Sequence, residues 1–134
     1  MKIVLLDGYT VTSTDLSWDE IKKEGDFIYF DRTGKDRNEI IKNIGKSDIV
    51  ITNKPPLDKE TIDACPSIKY ITILATGYNV VDIKSAREKG IPVSNIPSYG
   101  TDSVAQYAIA LLLELCHHIG HHDREVKNGR WENS

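Results

Sequence analysis

This 134-residue sequence has little net charge and only two cysteines. Its formal charge is −3, from 17 basic and 20 acidic residues, and no basic run tracks along it. The balance gives no electrostatic reason to expect nucleic acid as a partner. Cys65 and Cys116 are too few for a disulfide framework, so we expect reduced thiols in a cytoplasmic protein.

Signals for export and for membrane insertion are also missing. The first strand-like run reaches a carboxylate at Asp7, too early for a signal peptide. The longest apolar stretch has only about ten uninterrupted residues before Glu114, too few to cross a bilayer. We therefore expect no membrane partner. The 40% hydrophobic and 28% charged composition is typical of a globular domain.

Short apolar runs alternate with helical patterns along the first 95 residues. Five such runs, at 3–6, 27–30, 48–52, 68–74 and 91–95, are typical of buried parallel strands. They predict an α/β fold: a flavodoxin-like, doubly wound parallel five-stranded sheet in the order 2-1-3-4-5.

Helix-capping residues mark the connections between these strands. Thr14 or Asp15 is predicted to cap a first helix carrying Leu16, Trp18 and Ile21. A second helix is expected at 37–44, closed by Gly45. Asp58 and Asp82 are predicted to cap the two helices that follow.

A long apolar segment follows the last strand. Pro97 and Gly100 interrupt the chain, and residues 101–103 can each cap a new helix. Ser103 and Gln106 have the spacing of a capping box. The helix is apolar on nearly every face up to Leu115, so we expect it to be buried on more than one side.

The loop at 74–79 is the most informative for chemistry. A glycine between a strand and a helix lets several backbone N–H groups bind a carboxylate or phosphate without a cationic side chain. The alternative is a plain turn in which Gly77 only supplies a positive φ.

Other candidate residues have simpler interpretations. His117, His118, His121 and His122 include pairs with i, i+4 spacing, but a polar helix end is favoured over a metal site. Asp7 is placed like the phosphoacceptor of a receiver-like signalling domain, although a cap or turn role is favoured. Lys54 could reach into the cleft, but a surface role is favoured.

Four runs resemble one family in order and spacing. They are Ala75-Thr-Gly-Tyr-Asn-Val-Val-Asp82, Lys89-Gly-Ile-Pro-Val-Ser-Asn-Ile-Pro97, Thr101-Asp-Ser-Val-Ala105 and Asn128-Gly-Arg-Trp131. The sequence resembles the N-terminal part of the NAD-dependent D-isomer-specific 2-hydroxyacid dehydrogenases, and its loop looks closest to the glycerate dehydrogenase or hydroxypyruvate reductase branch.

The resemblance implies a domain organisation. Residues 1–96 would form the substrate-binding domain, 97–101 a hinge, and 102–134 the first helix and tail of a truncated nucleotide-binding (Rossmann) domain. In many relatives this helix, here 102–119, helps form a homodimer, so a homo-oligomer is expected.

The resemblance also implies roles for individual residues. Substrate would be bound by the loops after the third and fourth strands and by one position in the hinge. Thr76 and Val104 would approach the cofactor, NAD or NADP. The substrate-binding residues implied are Asn53, Ala75, Thr76, Gly77, Tyr78 and Tyr99.

The sequence departs from the family in one large respect. No Gly-x-Gly-x-x-Gly follows a strand, and the family's catalytic arginine, carboxylate and histidine lie downstream of Ser134. We therefore expect no catalytic residue, no metal and no bound cofactor in this chain alone, and no turnover. The implied parent enzyme interconverts a 2-oxo acid and a D-2-hydroxy acid such as hydroxypyruvate and glycerate. The alternative is a non-catalytic, dimerising module that binds a small anion.

Overall fold

The structure is a computed structural model that describes residues 1–11 and 16–131. The chain divides into two compact units, Met1–Pro97 and Ser98–Ser134. Each is described by itself below. The assignment of 1–96, 97–101 and 102–134 to a substrate-binding domain, a hinge and the start of a nucleotide-binding domain stays a prediction.

The first unit is built on a five-stranded, all-parallel sheet. Its order is β2-β1-β3-β4-β5, which confirms the predicted flavodoxin-like arrangement. Most strands are shorter than the apolar runs that predicted them, because the runs continue into the loops. The strands are β1 Lys2–Leu5, β2 Asp26–Tyr29, β3 Ile49–Thr52, β4 Tyr70–Ile73 and β5 Val93–Ser94.

Four helices connect the strands of this unit. Side chains of Asp36, Asp58 and Asp82 accept hydrogen bonds from backbone N–H groups three residues ahead, so the predicted caps at Asp58 and Asp82 are confirmed. Gly45 ends the second helix with a φ of 53°, as predicted. The helices are α1 Asp19–Glu24, α2 Arg37–Ile44, α3 Lys59–Ala64 and α4 Ile83–Glu88.

The first helix begins later than predicted. The expected caps, Thr14 and Asp15, lie outside the described residues, and α1 starts only at Asp19. Trp18 precedes the helix, with its ring 5.9 Å from that of Phe27 on β2. The hydroxyl of Ser17 accepts the N–H of Asp19 at 3.1 Å. Packing of the indole on the sheet thus fixes the chain before the helix can begin.

Both faces of the central strands β1 and β3 are buried, which explains their continuous apolar runs. Val4 and Leu6 lie in the larger core with Ile40, Ile44 and other residues of the helices. Ile3 and Leu5 point to the opposite face, where Trp18 and Phe27 pack with them. Fully burying one such side chain stabilises the fold by about 1.5–3 kcal/mol.

The second unit consists of two helices, α5 Thr101–His117 and α6 Ile119–Lys127. The predicted helix at 102–119 is therefore interrupted, at His118, whose φ is 50°. The carboxylate of Glu114 accepts the N–H of Gly120 at 3.0 Å, which stabilises the break. The predicted capping box is wrong. Gly100 is the N-cap residue, so Ser103 and Gln106 lie inside the helix.

Helix α5 has no buried residue, contrary to the expectation of burial on several sides. Its large apolar side chains are 44% to 74% exposed, with Leu115 at the upper limit. The helix therefore presents an apolar surface to solvent. Across the described part of the chain, none of the helices has the length and apolar character needed to cross a membrane.

Candidate functional site at the carboxyl edge of the sheet

The loops that follow β1, β3 and β4 lie side by side at one edge of the sheet. Thr52 pairs with Ile73, and the N–H of Leu74 donates to the carbonyl of Thr52 at 2.9 Å. The predicted residue Asn53 is therefore adjacent to the predicted loop at 75–78. Ligands of open α/β sheets bind in this position, beyond the carboxyl ends of the strands.

Asp7, two residues after the end of β1, fixes the loop that follows β3. Its carboxylate is fully buried, and both oxygens accept backbone N–H groups, from Asn53 at 2.9 Å and from Lys54 at 2.8 Å. The hydroxyl of Thr52 also donates to the carbonyl of Pro55 at 3.1 Å. These bonds hold the loop after β3 in one conformation.

The sequence favoured a role for Asp7 in capping or turning the chain next to it. This interpretation is wrong, because the side chain bonds to a different part of the chain. Its side chain makes no capping bond to the 3₁₀ turn Gly8–Thr10 that follows it, and bonds to a loop more than forty residues away. Burial raises the pKa of Asp7, while the two N–H groups and the Lys54 ammonium lower it in part. A fully buried carboxylate with both oxygens occupied is poorly placed to accept a phosphoryl group.

Residues 75–78 are anchored to the segment after β5. The N–H of Ile96 donates to the carbonyl of Ala75 at 3.1 Å, and the Asn95 side chain donates to the carbonyl of Thr76 at 2.7 Å. The hydroxyl of Thr76 donates to the carbonyl of Ile96 at 3.2 Å. Asn95 and Ile96 thus position the loop, a role that no feature of the sequence indicated.

The loop leaves three successive backbone donors available. Within the described residues, the N–H groups of Thr76, Gly77 and Tyr78 donate no hydrogen bond, and all three residues are exposed. Gly77 does not have a positive φ, so the alternative of a turn that requires glycine for that reason is wrong. A Cβ there would approach only Asn79, at 3.4 Å. Unpaired N–H groups of this kind can bind a carboxylate.

Asn53 follows β3, the strand beside β4 in the sheet. The residue is 8% exposed, and its Oδ1 has no hydrogen-bond partner within the described residues. A buried amide oxygen without a donor is costly, so it can accept a bond from a ligand hydroxyl.

The two remaining predicted residues lie in the second unit. Tyr99 is 71% exposed, and Val104, on α5, is 69% exposed. Both belong to Ser98–Ser134, and their roles toward substrate and cofactor stay predictions.

The described residues from 98 to 131 do not form the family's usual binding motif for a dinucleotide. Among the described residues from 98 to 131 there are helices and no strand. A strand followed by a glycine-rich turn and a helix, which cradles the pyrophosphate, is therefore not formed there.

The four histidines do not form a metal site in the described structure. His118 has a left-handed conformation, so the helix face that His117 and His121 were expected to share is interrupted. Among the described residues, no group of three or more His, Cys, Asp or Glu is placed to hold a metal ion.

The fold and site define a class of protein: a parallel α/β domain with a loop of unpaired backbone N–H groups at the carboxyl edge of its sheet. Residues 4–127 match the model for the catalytic domain of the D-isomer specific 2-hydroxyacid dehydrogenases. The chain belongs to this family of oxidoreductases.

The chain is also similar to individual proteins of this kind. The chain is 55% identical, over its whole length, to a hydroxypyruvate reductase of Blautia hydrogenotrophica, of which it covers 42%. It is 32% identical over 96 residues, 72% of the chain, to a glycerate dehydrogenase of Methylorubrum extorquens, of which it covers 31%. An acyclic imino acid reductase solved with NADPH and D-Arg superposes with a TM-score of 0.81 at 30% identity, covering 96% of this chain and 41% of that one. The chain thus spans less than half the length of these relatives.

Proposed function

We propose that this chain is the substrate-binding part of an enzyme that interconverts a 2-oxo acid and a D-2-hydroxy acid with NAD or NADP. Hydroxypyruvate and glycerate are the substrate pair favoured by the similarity to a hydroxypyruvate reductase and a glycerate dehydrogenase. The nicotinamide supplies or receives the hydride in such a reaction.

One observation carries the proposal: the free N–H groups of Thr76, Gly77 and Tyr78 in an anchored loop. A carboxylate accepts several donors at once, and backbone donors that are already ordered need little rearrangement to bind it. In this proposal residues 75–78 bind the substrate carboxylate, and Asn53 lines that cleft. Thr76 also approaches the cofactor. Tyr99 and Val104 keep the roles toward substrate and cofactor that the family resemblance implies.

In this proposal the described residues bind and orient the substrate only. Reduction also needs a proton donor at the substrate oxygen and a nicotinamide held against its carbon. None of the four histidines follows a strand at the carboxyl edge of the sheet. We therefore propose that the 134-residue chain binds the acid without turning it over and binds no cofactor alone.

Calorimetric titration of the chain with D-glycerate tests this function. We expect saturable binding that is weakened at least about tenfold in Gly77→Pro, which removes one N–H from the loop. Gly77→Ala keeps that N–H and is the matched control, expected within about twofold of the unchanged chain. Equal affinity of the two variants would contradict a role for the loop N–H groups.

A second candidate function is a non-catalytic module that binds a small anion and dimerises. The exposed apolar side chains of α5 favour this possibility, because such a surface is typical of an interface. In either case we propose that the chain forms a homo-oligomer through the predicted 102–119 segment. Steady oxidation of NADH with hydroxypyruvate by the purified chain would contradict both the inactive-fragment and the module proposals.

A further inference from the structure

A second pocket lies at the carboxyl edge of the sheet, beside β1 and β2. It has a volume of about 280 Å³. Arg32, Lys35 and Lys54 contribute its charged groups, and Tyr9 and Thr33 are among its other walls. Residues 75–78 do not line it. The pocket is therefore separate from the loop assigned to the substrate carboxylate.

The lining of this pocket is cationic. Of the described residues that line it, three are basic and none is acidic. Arg32 has a loose ion pair with Asp31, at 3.6 Å, which does not line the pocket. In the described part of the chain, neither Lys35 nor Lys54 forms an ion pair within 4 Å, although the charge of Lys54 acts on the buried Asp7 carboxylate. Like charges around one concavity repel one another, and an anion between them relieves that repulsion. The Glu39 carboxylate, which accepts the N–H of Gly34 at 3.2 Å, offsets part of the positive charge.

A cation–π contact and two hydrogen bonds hold Arg32, Tyr9 and Thr33, which line the pocket, in place. The Arg32 guanidinium lies over the ring of Tyr9, 3.9 Å from its centroid. The N–H of Tyr9 donates to the carbonyl of Asp31 at 3.1 Å. The hydroxyl of Thr33 accepts the Asn43 side chain at 3.0 Å.

The remaining wall is set by Asp7. Its carboxylate accepts the N–H of Lys54 at 2.8 Å, so the backbone that carries this lysine is fixed. Lys54 therefore projects from ordered backbone, and the Tyr9 ring holds the Arg32 guanidinium, which lowers the entropic cost of binding.

We propose that this pocket is a binding site for a small oxyanion such as phosphate, bound by Arg32, Lys35 and Lys54. A guanidinium presents paired donors to such an anion, and the two ammonium groups add charge without demanding one orientation. The site is independent of carboxylate binding at residues 75–78.

The test is a titration of the ¹⁵N-labelled chain with sodium phosphate, followed by NMR, with sodium chloride holding the ionic strength constant. We expect saturable shifts at the amides of Arg32, Gly34, Lys35 and Lys54, with a dissociation constant on the order of millimolar. A higher chloride concentration weakens binding through screening.

Four variants make the test specific. Lys54→Gln and Lys35→Gln are each expected to weaken phosphate binding about tenfold by removing one charge-assisted contact. Arg87→Gln removes an exposed arginine beside a different, apolar pocket and is the matched control, expected to leave binding unchanged. Gly77→Pro is also expected to leave phosphate binding unchanged.

The outcomes separate this site from the carboxylate loop. Loss of phosphate binding in Lys54→Gln and Lys35→Gln, with retention in Arg87→Gln and Gly77→Pro, supports the pocket. Shifts confined to Thr76, Gly77 and Tyr78, or loss of binding only in Gly77→Pro, would place phosphate on the loop and overturn the proposal. Shifts that never saturate would overturn it as well.

Discussion

At the scale of single residues, Asp7 holds the loop after β3 in place, although it was not among the predicted site residues. The sequence shows only a carboxylate after a strand, a common position for a turn residue. Its carboxylate accepts the N–H groups of Asn53 and Lys54, which are 46 and 47 residues away in the sequence. These residues meet only because β1 and β3 are neighbours in the sheet. Sequence alone could not identify this role, because no local pattern contains it.

Replacing Asp7 tests that role. Asp7→Ala leaves two N–H groups without an acceptor, so we expect a loss of about 1–3 kcal/mol in the free energy of unfolding. Asp7→Asn keeps one acceptor oxygen and is expected to lose less. Urea denaturation measures both, with Asp31→Ala as the control, since Asp31 is an exposed carboxylate on the next loop. Equal stability of Asp7→Ala and the unchanged chain would contradict the role.

The pH dependence of one ion pair gives a second residue-scale prediction. Arg37 and the N–H and hydroxyl of Thr61 hold the pKa of Asp58 at about 2, below its ordinary 3.8. A lowered folded-state pKa stabilises the fold above the unfolded value, and that stability is lost as the pH falls from about 4 to about 2.

Arg37→Gln isolates the contribution of the pair. Both side chains are at least 40% exposed, so we expect a loss of at most about 1 kcal/mol at pH 7, shrinking toward zero near pH 2. Urea denaturation at several pH values measures it, with Arg87→Gln as the control. A loss that stays constant down to pH 2 would argue against an ion-pair origin.

At the scale of elements, local signals predicted three helices and failed at two. The caps at Asp58 and Asp82 and the stop at Gly45 are formed by neighbours in sequence, so they could be predicted. The start of α1 depends on packing of Trp18 against β2, and the break after α5 depends on a bond from Gly120 to Glu114. Both involve contacts that residue types and spacing do not reveal.

Helix α5 is where the composition and the structure disagree most. An almost entirely apolar helix is expected to be buried, yet none of its residues is. Covering about 300 Å² of its apolar surface would contribute roughly 7 kcal/mol before the entropic cost of association. This imbalance favours an interface at the helix.

Introducing charged residues on α5 tests whether the helix forms an interface. Leu111 and Leu115 are four residues apart and so share a helix face; replacing both by Glu should shift the chain toward monomer at tens of micromolar. Sedimentation velocity measures the change, and Gln106→Glu, a charge added at a polar position of the same helix, serves as control. If the unchanged chain is already a monodisperse monomer, association through α5 is wrong.

At the scale of the whole molecule, fold and family could be predicted further than mechanism. The strand order followed from alternating apolar runs and helices, since few topologies of this size bury such runs. The implied site residues in the first unit lie on adjacent loops, whereas Tyr99 and Val104 lie in the second unit. The chain spans 42% of a hydroxypyruvate reductase to which it is 55% identical, and the roles of its residues in substrate binding and catalysis stay proposals.

The central claim is that backbone N–H groups of residues 75–78 bind the carboxylate of a small 2-hydroxy acid. Amide chemical shifts of the ¹⁵N-labelled chain, recorded during titration with D-glycerate, test it most directly. The claim predicts saturable shifts that are largest at Thr76, Gly77 and Tyr78, with small changes at the buried amides of β1. Shifts that do not saturate, or that are largest away from this loop, would contradict it.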